Sequence, residues 1–427
     1  MVVEVEGETA EDRSTDSEPT MPFTRSEPSL HRDLERWRAD TPGSADRIHL
    51  NNAGAALVPS SVADTVARHL ELESRIGGYE AAETVAAQVS EVYAALAGAL
   101  GAESRNVAVA ANSTIAFAQA LSSFALRPGD RILTTRNDYA SNQIMYLSLA
   151  NRFGVVIERA EDLPEGGVDP QSIREAIRRR PPALVSVTWI PTNSGLVQRV
   201  EAVGEICEEA GVPYLVDACQ AMGQVPIDVA RVRCDYLAAS ARKFLRGPRG
   251  IGFLFASDRA LQRGAYPLYV DMHGANWTDP DAFELTPDAR RFETWESPCA
   301  LVLGMGAAAR YAANVGIATA RDRARRLAQL ARRLLAELPG VRVLDRGAEL
   351  CAIVTAGLPN SDPEAIKLEL RRRGVNVSVT TRTSAVIDMD EKHASAALRF
   401  SPHYYNTEEE VERAVGVLGE VLKQREQ

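Results

Sequence analysis

The chain has 427 residues, 45% of them hydrophobic and 25% charged, which is longer than one average domain and ordinary in composition for a globular protein. Its formal net charge of −10 excludes general nucleic-acid binding, and no apolar run reaches the length of a membrane span. Cys207, Cys219, Cys234, Cys299 and Cys351 form neither a disulfide framework nor a paired metal-ligand motif, and the N-terminus lacks a signal-peptide pattern, so no metal and a reducing cytoplasmic address are expected.

Residues 1–30 are acidic and poor in large apolar side chains, and are expected to be a disordered tail. Residues 31–38 read as a short helix and 40–46 as a turn. A strand from Ile48 enters a turn containing Gly54, and Ser60 then caps a helix with Val62, Val66 and Leu70 at helical spacing. Gly77 and Gly78 interrupt that pattern before a second helix over 83–100. Residues 106–111 read as a strand, and Asn112, Ser113 and Thr114 open the next helix. Such a first turn offers unpaired N–H groups to a phosphate, although a plain N-cap has the same local pattern. Strands over 131–134 and 183–189 and a helix over 201–210 follow. This alternation argues for a largely parallel sheet. Beyond Leu301 a long amphipathic helix leads into a smaller α+β part with strands over 349–356 and 375–380, and Thr407 caps the last helix. The expected division is a tail (1–30), a large α/β domain (31–300) and a small C-terminal domain (301–427).

The stretch from Tyr214 to Gly252 carries the chemistry. An apolar run, 213–216, delivers Asp217 at its carboxyl end, and a second, 235–239, is followed by Ser240, Arg242 and Lys243. Open α/β sheets bind ligands at the carboxyl ends of their strands, so these residues should face one crevice. An acid and a lysine there suit pyridoxal phosphate (PLP): the lysine forms a Schiff base and the carboxylate keeps the pyridine nitrogen protonated. An isolated Asp after a strand is often only a cap, and RKFLRGPRG could be a solvated basic loop, so the combination decides. Asp217-Ala218-Cys219-Gln220, Ser240-Ala241-Arg242-Lys243 and Gly247-Pro248-Arg249-Gly250, in that order and spacing, resemble the class V aminotransferase family of fold-type I PLP enzymes, which includes cysteine desulfurases and several lyases. The resemblance runs from about Leu50 to the C-terminus. The run Gly77 to Glu83 (GGYEAAE) is similar to a subgroup containing the hercynylcysteine sulfoxide lyases.

That resemblance implies roles. Lys243 would bind the cofactor and move the α-proton, Asp217 would pair with the pyridine nitrogen, and Gln220 would lie by the phenolic oxygen. Ser113, Thr114, Ser240 and Arg242 would hold phosphate, Arg242 standing where the family usually has histidine. Tyr139 would stack on the ring where desulfurases carry a histidine, and a phenol, titrating near about 10, is a poorer proton carrier. Asn193 would lie beside the cofactor oxygen and the substrate carboxylate. Arg399, in a segment similar to the family's RxSxxxYNT, would clamp that carboxylate. In the place of the family's RFExGT, Glu296 replaces the threonine that reaches the neighbouring subunit's phosphate, leaving Glu296 and the adjacent Ser297 as alternatives for that contact, and the resemblance implies a homodimer.

Persulfide-forming desulfurases carry a nucleophilic cysteine shortly before this arginine, whereas residues 379–385 contain none. Arg382, Thr383 and Ser384 are candidates for the substrate pocket, as is Tyr79, for which packing between helices is the plainer reading. The expected function is therefore a PLP-dependent C–S lyase that cleaves an S-substituted cysteine or its sulfoxide by β-elimination to pyruvate and ammonia. The alternatives are a class V aminotransferase or an epimerase, then a desulfurase. A non-catalytic PLP-fold module is opposed by the Asp217/Lys243 pair.

Overall fold

A computed structural model describes residues 27–358 and 361–426. The expected tail falls outside these residues up to position 26, and the first helix begins at Glu27 and runs to Ala39. Seven strands form the central sheet, in the spatial order Val107–Ala110, Gly252–Ala256, Tyr236–Ser240, Tyr214–Asp217, Leu184–Thr188, Arg131–Thr134 and Val156–Arg159. All run parallel except Gly252–Ala256, which is antiparallel to both neighbours. The inner strands are buried along their whole length, which explains their continuous apolar runs rather than an alternation.

A second, four-stranded antiparallel sheet is built from the C-terminal part, in the order Arg342–Val343, Val354–Gly357, Ala396–Phe400, Ser378–Thr381. The N-terminal segment belongs with this part: Ile48 and His49 pair in parallel with Val375 and Asn376, and the Tyr405 hydroxyl donates to Asn52 at 2.6 Å. Trp37, 1% exposed, packs edge-on against Tyr404. Arg246 locks the junction. Fully buried, it donates to the Leu57 carbonyl, the Tyr404 hydroxyl and Thr41, and lies 4.4 Å from the Tyr405 ring centroid. The basic loop is thus partly core.

Some local expectations change. The helix Ser60–Ile76 buries Val62 and His69 and packs Val66 on Gly304, so its inner stripe runs 62, 66, 69 and leaves Leu70 outside at 52% exposed. Gly43–Asp46 is a short helix inside the expected turn, and the helix expected from Glu83 is two, Gly78–Thr84 and Ala86–Leu100. The long helix after Leu301 is also two, Cys299–Val315 and Ile317–Ala336, meeting at 79°. Gly316 makes the break, with φ +84° and its N–H closing on the Ala312 carbonyl. Among the described residues no single helix is long and apolar enough to cross a membrane.

Candidate active site

A cavity of about 500 Å³ opens at the carboxyl edge of the parallel strands. Asp217 and Ser240 are the last residues of adjacent strands, and both line it. Asp217 is 3% exposed; its carboxylate accepts from Asn142 Nδ2 at 3.0 Å and from the Cys219 N–H at 2.9 Å. Burial pushes its pKa above the usual carboxylate range, while the Asn142 hydrogen bond and the Lys243 charge pull the other way. Lys243 is 7% exposed and its Nζ lies 5.9 Å from the Tyr139 ring centroid. Among the described residues its ammonium has no carboxylate at ion-pair distance. Its loop is seated by Gly223 at φ +82°, where a Cβ would come within 2.4 Å of the Phe244–Leu245 backbone.

At one end of the cavity the helix Ser113–Ser122 points its N-terminus inward, with Ser113 and Thr114 on the wall. Asn112 caps it by accepting from the Ile115 N–H, and the Ser113 N–H donates to Ser240 Oγ at 3.1 Å. Gly252 permits this approach: a Cβ there would meet the Ala239 carbonyl at 2.5 Å and the Ser113 nitrogen at 3.0 Å. The Asn112 cap leaves the helix dipole and the remaining first-turn N–H groups facing the cavity, the chemistry that an anion site requires.

The other end is joined through Gln220, which donates to the Ala53 carbonyl at 3.0 Å and to Thr192 Oγ1 at 3.1 Å. Arg399 Nη1 donates to the Thr192 carbonyl at 3.0 Å and to the Thr192 hydroxyl, and its Nε reaches Ser378 Oγ at 2.9 Å. Burial, then the charge of Arg242, pushes the Arg399 pKa down to about 10. Arg242 lines the cavity and donates to the Gly54 carbonyl.

Eight of the expected residues therefore share one cavity: Ser113, Thr114, Tyr139, Asp217, Gln220, Ser240, Arg242 and Lys243. Arg399 stands behind Thr192, which lines it. Asn193 does not line it. Its amide donates to Asp388, a buried carboxylate that also accepts from Asn137 at 3.0 Å and from Lys392 at 2.7 Å. Arg382 pairs with Asp390 on the surface, Glu296 and Ser297 are exposed, and Tyr79 is 72% exposed rather than packed between helices. Sequence reasoning missed Asn142 and Thr192. The signal for Asn142 was its place one helical turn after Asp138, to which it also donates. Thr192 had no comparable signal, since its partners Gln220 and Arg399 are remote in sequence.

The family model for aminotransferase class-V matches residues 48–414. The chain belongs to this family. It is 27% identical over 404 residues to a probable cysteine desulfurase of Pyrococcus abyssi, covering 91% of this chain and 98% of that protein. It is 29% identical over 383 residues to a probable hercynylcysteine sulfoxide lyase of Mycobacterium tuberculosis, covering 88% and 91%. The apo cysteine desulfurase of Thermococcus onnurineus NA1 superposes with a TM-score of 0.83 at 25% identity, over 91% of this chain and 98% of that one. The protein is thus a class V PLP-dependent enzyme of cysteine desulfurase or C–S lyase type, with a fold-type I architecture. The residues present fit the cofactor. Among the described residues Gln220 Oε1 is a buried acceptor without a partner and Lys243 a buried amine without a counter-ion, and a helix N-terminus faces the same cavity.

Proposed function

We propose that the enzyme is a C–S lyase that cleaves an S-substituted cysteine, or its sulfoxide, by β-elimination and leaves pyruvate and ammonia. The observation that carries this reading is the placement of its thiols. Cys207, Cys234 and Cys351 are buried, and burial pushes all three thiols up, Cys351 to about 12. Cys299 is half-buried, raised by burial, and outside the cavity. Only Cys219 lines it, beside Asp217. A persulfide carrier needs an accessible thiolate that can reach the leaving sulfur, and none of the four others offers one.

When bound, PLP supplies an electron-accepting ring that stabilises negative charge at the substrate α-carbon. Asp217 would face the ring nitrogen with its charge fixed by Asn142. The Ser113–Thr114 turn and Ser240 would hold the phosphate. Arg399 would orient the substrate through its α-carboxylate, Tyr139 would cover the ring face, and the Lys243 amine would take the α-proton and hold it for return. The sulfur group then departs from Cβ.

Supporting a homodimer, a large apolar surface is open around the hairpin of Ala275–Asp279 and Ala282–Leu285: Trp277 and Tyr269 are each 81% exposed and Met272 67%. The free cysteines fit a reducing, cytoplasmic compartment. Most of the similar relatives are named cysteine desulfurases, which makes persulfide formation the second reading. Incubation with cysteine and with S-substituted cysteines, read by pyruvate release and by mass spectrometry of the enzyme, decides. The lyase gives pyruvate and an unmodified chain; a protein-bound persulfide abolished by Cys219→Ala overturns it.

A further inference from the structure

We propose that Arg242 and Arg399 form a two-point anion clamp, so that the substrate carries a second acidic group on its sulfur substituent in addition to its α-carboxylate. This rests on the C–S lyase reading and deepens it.

The placement of Arg242 comes from a continuous chain of contacts. Its guanidinium is tied to the Gly54 carbonyl; the adjoining Ala53 carbonyl accepts from Gln220; Gln220 reaches Thr192; and Thr192 holds Arg399. Arg242 is thus linked through this chain to the Arg399 side of the cavity, whereas Ser113 and Ser240 are bonded to each other without it. Neither guanidinium meets a carboxylate among the described residues: Arg399 has only Ser378 and Thr192, and Arg242 only a backbone carbonyl. The field of Arg242 is felt at Arg399. Arg399 is buried and Arg242 half-buried, and two guanidiniums on one side of a cavity, neither paired with a carboxylate, draw in a negative group.

The charges on the wall set how much must enter. Lys243, Arg242 and Arg249 line the cavity against one carboxylate, Asp217, and Arg399 stands behind Thr192. Arg249 is exposed in the loop that leads to Gly252, whose strand packs against the Ser113 turn, and is assigned to the phosphate. One α-carboxylate answers one of the two remaining arginines. An arginine fork is suited to a planar carboxylate, so a second carboxylate or comparable oxyanion matches the other.

The test compares two ligands of nearly equal size, S-carboxymethyl-cysteine and S-carbamoylmethyl-cysteine, on the PLP-loaded enzyme. Calorimetric binding and pyruvate release are measured for wild type, Arg242→Gln and Arg242→Lys, with bound cofactor followed by its visible absorbance. The acid should bind about 10- to 100-fold tighter than the amide in the wild type. That ratio should fall to about one in Arg242→Gln and recover in part in Arg242→Lys, with cofactor content unchanged in both. Equal affinities in the wild type, or binding of neither ligand, overturn the clamp whatever the variants do. So does an Arg242→Gln enzyme that loses cofactor and keeps the preference, which would return Arg242 to the phosphate. Selective binding without pyruvate release leaves the clamp standing and sinks the lyase reading; equal release from both ligands does the reverse.

Discussion

The floor and the rim of the cavity are made in different ways. The floor is Asp217, Ser240 and Lys243, set on or just after two adjacent strands whose residues are all buried. The rim is Thr192, Gln220 and Arg399, drawn from loops and from a strand of the C-terminal sheet and joined by side-chain contacts across 207 positions of sequence at the longest, with Arg242 tied beside them to the Gly54 carbonyl. The floor is fixed by backbone ladders, which hold a side chain wherever the strand ends. The rim depends on polar contacts that can be exchanged one at a time. Chemistry common to a family belongs on the first, and selectivity that varies belongs on the second.

Substitutions on the floor should stop the reaction, and those on the rim should change what is bound. Lys243→Ala should lower turnover by on the order of ten-thousandfold, and borohydride reduction followed by peptide mapping should attach the cofactor to Lys243 in the wild type. A label on another lysine would displace it from the centre of the site. Asp217→Asn should keep the cofactor and cost about 10²–10³-fold in kcat, because the amide brings no negative charge to the ring nitrogen. Near-normal turnover by that variant, with cofactor bound, removes Asp217 from the floor.

On the rim, Arg399→Ala should raise KM by about 10- to 100-fold with a smaller change in kcat, the loss expected for a charge-assisted contact to a carboxylate. A pure kcat effect would place Arg399 in the chemistry instead. The smallest expected effect belongs to Asn142→Ala. Its hydrogen bond favours the ionised carboxyl of Asp217, so losing it raises the Asp217 pKa, and the acid limb of the rate profile should move up by about one pH unit. An unmoved limb in the pH–kcat profile would mean that Asp217 does not set it.

The contrast also explains what was legible in the sequence. Asp217, Ser240 and Lys243 could be read because a buried parallel strand is a continuous apolar run, and a polar residue at its end stands out. Asn112, Ser113 and Thr114 could be read because a cap leaves a local pattern. Asn193 illustrates the limit. A turn asparagine next to the site was expected to face the cofactor, but Asp388, 195 positions away, takes its amide, and no local pattern encodes that contact. Arg246 shows the same limit in the other direction: a basic loop reads as solvated, and only the arrival of Tyr404, Tyr405 and Thr41 makes an arginine a core residue.

The contact between Asn52 and Tyr405 has a consequence during synthesis. The two residues are 353 positions apart, so the partner of the N-terminal segment is made long after the segment itself. At ribosomal rates of roughly 5–20 residues per second, the segment waits on the order of tens of seconds after it is made. Throughout that interval Trp37 and Leu50, each 1% exposed in the finished molecule, lack Tyr404 and Ser401 respectively. The nascent chain therefore carries its own window of vulnerability to aggregation and proteolysis, which closes only when Tyr404 and Tyr405 leave the ribosome.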